Sequence, residues 1–184
     1  MRLFLAIELP PDARAHLVKI QNRLKDELHG CAWTREPNIH LTLEFLGEVE
    51  DSEVPRLCDV LKEISPVESM RFHATDMCLF PERGPVRIVA VGLEESTGVL
   101  RGVAQAIDDR CADLGFEQEG RQYVPHITLA RTKSPLPARV RAIGMAATSE
   151  FFPGPEFSVD EFVLMQSTLK PAGSEYTVAA RFSG

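Results

Sequence analysis

The feature that most constrains this chain is a four-residue pattern, His-x-Thr-x, that occurs once in each half, at 40–43 and at 126–129. Each copy lies in a run of alternating polar and apolar residues, which predicts a β-strand. Because successive side chains of a strand point to opposite faces, the histidine and the threonine of each copy share one face. The fold must therefore present two strands that each have a polar His/Thr face backed by an apolar one.

The order of the predicted elements also repeats. A strand from Arg2, a helix opened by Pro10 and Pro11, a strand, a second helix and a third strand fill the first half, and after a turn at 81–85 the series begins again at Val86. The motif histidine lies 38 positions after Arg2 in the first half and 40 positions after Val86 in the second. We therefore predict one bilobal domain over 1–184 with an internal repeat, at about 1–80 and 86–184.

Alternating strands and helices often form a doubly wound parallel sheet, but no glycine-rich phosphate loop follows the first strand here. We predict instead an α+β fold with two pseudo-symmetric lobes, each a small, mainly antiparallel sheet backed by helices, and a central cleft. If the two polar faces meet across that cleft, it holds two imidazoles and two hydroxyls. Two histidines suit chemistry in which one group accepts a proton and another donates one near neutral pH.

Composition excludes several classes of protein. A chain of 184 residues that is 44% hydrophobic can bury a core, and its net charge of −7, with no Lys/Arg-rich run, argues against a protein that grips long duplexes. No apolar stretch approaches the roughly 20 residues of a membrane helix, and the apolar N-terminal run ends too early for a signal peptide. The four cysteines form no CxxC pair, so we expect reduced, mostly buried thiols in a cytoplasmic protein. We also expect a monomer that binds no membrane.

Longer matching segments surround the two motifs and extend over essentially the whole chain. They read RLFLAI at 2–7, WTREPNIHLTLEFLG at 33–47, YVPHITLAR at 123–131 and AARF at 179–182. These segments resemble the bacterial and archaeal RNA 2',3'-cyclic phosphodiesterases of the 2H phosphoesterase superfamily. The resemblance implies a bilobal α+β fold and a reaction that opens a terminal 2',3'-cyclic phosphate to a 2'-phosphomonoester, with no cofactor and no metal ion.

The resemblance also implies roles for individual residues. It makes His40 the proton donor to the leaving 3'-oxygen and His126 the proton acceptor from the attacking water, while Thr42 and Thr128 donate hydrogen bonds to the phosphate oxygens. Substrate binding is expected at Arg131 and at the remaining motif positions, namely Leu41, Leu43, Ile127 and Leu129. An acid and a base on opposite walls of a cleft suit an in-line displacement, in which the incoming and departing oxygens lie on opposite sides of phosphorus.

Two residues do not fit this scheme in an ideal strand. Arg131 is out of phase with His126 and Thr128, so it reaches the cleft only if the strand ends or bulges first. Glu44 is in phase with the first motif, where an acid beside a phosphate is unfavourable, and we expect it to point to solvent at the end of the strand.

Several alternatives remain open. Trp33, Tyr123 and Phe4 could stack on a nucleobase or pack in the core. Glu44 with the two histidines could ligate a metal, although no HExxH or comparable spacing is present. The substrate could be an RNA 3' end, a small cyclic nucleotide or an ADP-ribose cyclic phosphate. A non-catalytic nucleotide-binding module and a 2',5'-joining side activity are the remaining possibilities.

Overall fold

Two antiparallel sheets organise the computed structural model, which describes residues 1–64, 69–118, 120, 122–171 and 173–183. The strands are β1 (Arg2–Glu8), β2 (Cys31–Trp33), β3 (His40–Glu48), β4 (Met70–Phe80), β5 (Val86–Glu95), β6 (His126–Leu136), β7 (Phe157–Val159), β8 (Glu161–Lys170) and β9 (Gly173–Ser183). The α-helices are α1 (Pro11–Glu27), α2 (Val54–Lys62), α3 (Val99–Asp113) and α4 (Val140–Thr148).

The strand order relates the two sheets to each other. The first sheet runs β3-β1-β8-β9 and the second β2-β6-β5-β4-β7, with every neighbouring pair antiparallel. In each sheet a motif strand lies beside the first strand of its own half of the chain, and the next strand comes from the other half. The predicted two-lobed α+β fold is confirmed. The internal repeat stays a prediction, and the exchange of β4 and β8 means that neither lobe is one continuous half of the chain.

The core forms where the apolar stripes of the helices meet the inner faces of the sheets. Leu17, Ile20 and Leu24 of α1 are buried with Leu5 and Ile7 of β1 in one continuous apolar cluster. A smaller cluster, formed by Phe4, Ala6, Val163 and Met165, covers the opposite face of the first sheet. The first sheet is therefore apolar on both faces, and Phe4 of the smaller cluster lines the central cleft.

Several boundaries differ from the prediction. Strand β2 has three residues, too few for a periodic signal, and it was missed. The sequence pattern predicts a single strand from Phe157 to Met165, but the structure interrupts it at Asp160, so that β7 joins the second sheet and β8 the first. The pattern also predicts a helix from about Leu136 to Ala147, which begins at Val140 because β6 continues to Leu136. Of the four free cysteines, Cys111 is buried and the others are half-buried.

None of the described helices combines the length and the apolar character that crossing a membrane requires.

Candidate active site

Both motifs open onto one cleft of about 950 Å³, whose walls come from both sheets and from α3. His40 and Thr42 line it from β3, and His126 and Thr128 line it from β6. The structure thus brings together the four residues that the sequence singled out.

The two histidines are held in the same way. The Nδ1–H group of His40 donates to the Asn38 carbonyl at 2.7 Å, and that of His126 donates to the Val124 carbonyl at 2.8 Å. Because a carbonyl oxygen can only accept, Nδ1 carries the hydrogen in both neutral rings. Each Nε2 is therefore the atom left to exchange a proton.

His40 has the more enclosed surroundings. Its ring centroid lies 5.0 Å from that of Phe4 and 5.4 Å from that of Tyr176, and its Nε2 lies 3.0 Å from Thr42 Oγ1. Burial lowers the pKa of His40, and the hydrogen bond to the Asn38 carbonyl only partly offsets this effect. The neutral imidazole is thus favoured in the free protein at pH 7.

The ring of His126 lies beside Phe80, with ring centroids 4.9 Å apart. The strand partner of His126 in β5 is Gly92. A Cβ atom at Gly92 would lie 3.0 Å from the side chains of Thr75, Asp76 and Cys78 of β4, so a larger residue there would crowd these side chains.

An equivalent bulge interrupts both motif strands directly after the threonine. In β3, Thr42 pairs with Ala6 and Glu44 pairs with Leu5, which leaves Leu43 as an extra residue. In β6, Thr128 pairs with Ala90 and Ala130 with Val89, which leaves Leu129 as the extra residue. Because a bulge adds one residue to one strand, it reverses the alternation of faces beyond it.

The reversal of faces explains the two residues that did not fit an ideal strand. Arg131 lies beyond the bulge in β6 and lines the cleft, which is the condition under which the sequence allowed it to do so. Phe45 occupies the corresponding place in β3. The expectation for Glu44 was wrong: its residue is only 7% exposed, and its charge lies close enough to Cys111 of α3 to help raise the pKa of that buried thiol.

The apolar motif positions lie on the other face. Leu41, Ile127 and Leu129 are almost fully buried in the main core, and Leu43 is 4% exposed at the edge of the cleft. Substrate binding by Leu41, Ile127 and Leu129 does not fit this placement, because their side chains are buried in the core. Leu43 lines the cleft, so its part in substrate binding stays a prediction.

Reciprocal hydrogen bonds join the two motif strands to the opposite halves of the chain. Tyr123, three residues before the second motif, donates its hydroxyl to the Thr42 carbonyl at 2.8 Å. Thr34, six residues before the first motif, donates its hydroxyl to the Thr128 carbonyl at 3.0 Å. Burial raises the pKa of Tyr123, so its hydroxyl keeps the proton that it donates. Tyr123 therefore holds the first motif in place and also lines the cleft. Trp33 packs against the core, and the ammonium group of Lys25 lies over its ring.

Sequence reasoning missed Gln21 and Tyr176. The Gln21 amide is 3% exposed and donates to the carbonyls of Thr34 at 2.7 Å and Leu129 at 3.1 Å, where the bulge lies. The available signal was the position of Gln21, a polar residue on the otherwise apolar, buried stripe of α1. Tyr176 reaches His40 from β9, more than 130 positions along the chain, and no local pattern connects the two residues.

Among the described residues, no three His, Cys, Asp or Glu side chains lie close enough together to form a metal site.

Comparison with known proteins identifies relatives over the whole length. The family model described as LigT like Phosphoesterase matches residues 7–90 and 91–176. The chain is 33% identical to the RNA 2',3'-cyclic phosphodiesterase of Thermus thermophilus, over all of this chain and 90% of that protein.

Solved structures show the same likeness. The crystal structure of the Thermus thermophilus protein TT0787 superposes with a TM-score of 0.81 at 31% identity, over 100% of this chain and 97% of that one. Escherichia coli LigT complexed with 3'-AMP superposes with a TM-score of 0.77 at 26% identity, over 99% and 97% of the respective chains.

Proposed function

Because the chain belongs to the LigT-like phosphoesterase family, we propose that its cleft hydrolyses the 2',3'-cyclic phosphate at RNA ends to a 2'-phosphomonoester without a metal ion. The relatives named RNA 2',3'-cyclic phosphodiesterase support this reaction. The observation that carries it is the pair of histidines in one cleft, each held through Nδ1 by a backbone carbonyl and each left with Nε2 for proton transfer.

In the proposed reaction a water oxygen attacks phosphorus and the bond from phosphorus to the 3'-oxygen breaks. His126 Nε2 accepts a proton from the water, and His40 Nε2 donates a proton to the departing 3'-oxygen. Attack and departure occur on opposite sides of phosphorus, which matches an acid and a base on two different walls of the cleft. Positioned proton transfer of this kind contributes about 10²–10⁴-fold to a rate.

Thr42 and Thr128 donate hydrogen bonds to the non-bridging phosphate oxygens, and Arg131 places a guanidinium beside them. The 3.0 Å contact between Thr42 Oγ1 and His40 Nε2 links two of these roles. When His40 is neutral, Nε2 accepts the Thr42 hydrogen. When His40 is protonated, Nε2 becomes a donor and the Thr42 hydroxyl is released to donate to phosphate. Protonation of His40 thus makes its Nε2 a proton donor and leaves the Thr42 hydroxyl able to donate to the phosphate.

The lowered pKa of His40 requires that its proton be taken up with the substrate. Burial disfavours the imidazolium in the free protein, and an anionic phosphate placed beside it favours the charged form. The substrate itself therefore supplies the electrostatic condition under which His40 can act as an acid.

Hydrolysis of a small cyclic nucleotide is the second candidate. It is favoured by the likeness to Escherichia coli LigT, which has been crystallised with 3'-AMP. The two candidates share the catalytic residues and differ in how much of the cleft the substrate fills.

The test is to incubate the protein, in EDTA, with a short RNA that ends in a 2',3'-cyclic phosphate and to determine the product by ³¹P NMR. A 2'-phosphomonoester is expected at a rate that EDTA does not change. A 3'-phosphate, or activity that EDTA abolishes and a divalent metal restores, would contradict the proposed mechanism. Binding without conversion would contradict catalysis itself.

A further inference from the structure

The cleft continues well beyond the two histidines. His40 lies opposite Glu8 at one end of β1, whereas Arg2, which also lines the cleft, lies at the other end of that strand. The His40 ring contacts the ring of Phe4, with centroids 5.0 Å apart, and Arg2 lies two residues beyond Phe4 on β1, about 7 Å farther along the strand. The Arg2 end of the cleft therefore lies on the far side of Phe4 from the reacting imidazole.

An exposed aromatic ring lies partway along this path. The bulge after Thr42 brings Phe45 to the cleft face, where it is 57% exposed, with its ring centroid 6.0 Å from that of Phe4. An aromatic face left open to solvent inside the cleft offers a stacking surface for a nucleobase. Phe4 and Tyr176 are packed against His40 and so lie closer to the reacting phosphate.

The basic residues of the cleft are available to an anion. Arg2, Arg101 and Arg131 line it, all three are exposed, and none has a carboxylate partner among the described residues. Two carboxylates also line it: Glu44 is almost fully buried, and Asp108 accepts a hydrogen bond from Gln118. Among the residues that the structure describes, three arginines against two carboxylates make the cleft lining net positive in a chain whose net charge is −7.

We propose that the part of the cleft beyond Phe45 is a subsite for the nucleotide that precedes the cyclic phosphate. Its base stacks on Phe45, and the phosphodiester that joins it to the terminal nucleotide is bound by Arg2 and Arg101. Stacking platforms beside cationic grooves are how proteins hold single-stranded nucleic acid. The inference rests on the proposed function and deepens it, since it makes an RNA end, rather than an isolated cyclic nucleotide, the preferred substrate.

The experiment compares adenosine 2',3'-cyclic phosphate with the dinucleotide ApA that ends in the same group. The readout is the ratio of kcat/KM for the dinucleotide to kcat/KM for the mononucleotide. We expect a ratio of about 5 to 150 in the wild type, the range that one stacked base contributes. The ratio should fall several-fold in Arg2→Gln, in Arg101→Gln and in Phe45→Ala, because each variant removes one contribution to binding of the preceding nucleotide.

Two controls separate charge from stacking and from general damage. Arg56→Gln removes an exposed arginine of α2 outside the cleft lining and should leave the ratio and both rates unchanged. A dinucleotide with a neutral methylphosphonate linkage should lose the contribution of Arg2 and Arg101 but keep that of Phe45. A wild-type ratio near 1, or a ratio that the Arg2 and Arg101 variants leave unchanged, would overturn the subsite.

Calorimetry with the corresponding 2'-phosphates, adenosine 2'-phosphate and ApA 2'-phosphate, tests the subsite without turnover. If neither cyclic substrate is hydrolysed but the dinucleotide product binds more tightly and loses this advantage in Arg2→Gln, the proposed function fails and the subsite stands. If hydrolysis proceeds and both pairs of ligands behave alike, the subsite fails and the proposed function stands.

Discussion

In β3 and in β6 alike, the motif histidine donates Nδ1–H to the carbonyl two residues before it, and a bulge follows the motif threonine. The backbone carbonyl of that threonine also accepts a hydroxyl group from the other half of the chain in both strands, from Tyr123 in one case and from Thr34 in the other. The backbone of the two motifs is therefore held in an equivalent way.

Their surroundings differ. His40 lies against Phe4 and Tyr176 and contacts the Thr42 hydroxyl, whereas His126 has Phe80 as its ring neighbour. Beyond the bulge, β3 presents the aromatic ring of Phe45 to the cleft and β6 presents the guanidinium of Arg131.

This difference shows how two copies of one pattern can take unequal roles. A shared backbone frame points both Nε2 atoms into the cleft, and the neighbouring side chains then decide which imidazole is desolvated. The apolar wall at β3 suits a nucleoside, and the basic wall at β6 suits a phosphate.

Removing either histidine should have the largest effect. We expect His40→Ala and His126→Ala each to lower kcat by about 10²–10⁴-fold, and the double variant to fall little further because the two groups act in one step. Single-turnover rates measure the loss, and circular dichroism shows whether the fold is kept.

A substrate with sulfur in place of the 3'-oxygen distinguishes the two roles, because a thiolate leaves without a proton. It should restore activity to His40→Ala and not to His126→Ala. The reverse pattern would show that the roles are exchanged, and near-normal activity of either variant on the normal substrate would exclude the two-histidine mechanism.

The two threonines are expected to matter less than the histidines. Thr42→Ala and Thr128→Ala each remove one hydroxyl that we propose donates to the phosphate, and we expect kcat to fall by about 10²-fold in each. Thr42→Ala should also shift the NMR titration of His40, which it contacts, while Thr128→Ala should not. Thr→Ser at either position keeps the hydroxyl and should recover most of the rate; failure of the serine variants would point to loss of packing instead.

The pH dependence of binding should reflect the buried histidine. The pKa of His40 is lowered in the free protein, so the ring is neutral above its ordinary value of about 6.5. An anionic product should raise that pKa, so product binding takes up a proton. As pH rises from the pKa of His40 in the free protein to its pKa in the complex, the affinity for the product should fall by up to tenfold per pH unit.

Calorimetry in buffers of different ionisation enthalpy, together with NMR titration of His40, measures this proton uptake. The same burial makes the folded state less stable in acid: the contribution of neutral His40 to stability is fully present above pH 6.5 and is lost as pH falls through the pKa of His40 in the folded protein. If the pKa of His40 is the same with and without product, the proposed uptake does not occur.

The smallest expected effects are those of the reciprocal hydrogen bonds. Tyr123→Phe and Thr34→Val each leave one threonine carbonyl without its hydroxyl donor. Each should cost about 1 kcal/mol of stability, which corresponds to about 2–4 °C in Tm. We expect kcat to fall a few-fold in each with KM little changed, because the change acts on motif position; thermal denaturation and steady-state kinetics provide the test. A change in KM alone would assign Tyr123 to substrate binding.

Much of the fold could be predicted from the chain itself. The His/Thr face of each motif strand, the stripe of Leu17, Ile20 and Leu24 on α1 and the two-lobed α+β class all follow from periodicity, which depends on residues two to four positions apart. The identity of the four central site residues followed from the repetition of the motif in a second strand.

What only the tertiary structure decided depends on pairing between distant strands. A bulge exists relative to a neighbouring strand, so the placement of Phe45 and Arg131 in the cleft and of Glu44 against α3 could not be obtained from alternation within β3 or β6 alone. The contact of Tyr176 with His40 and the donation by Gln21 to the Leu129 carbonyl join segments more than 100 positions apart. Local sequence determined which faces could carry chemistry, and long-range packing determined which side chains those faces meet, because bulges and contacts of this kind form only when the sheets assemble.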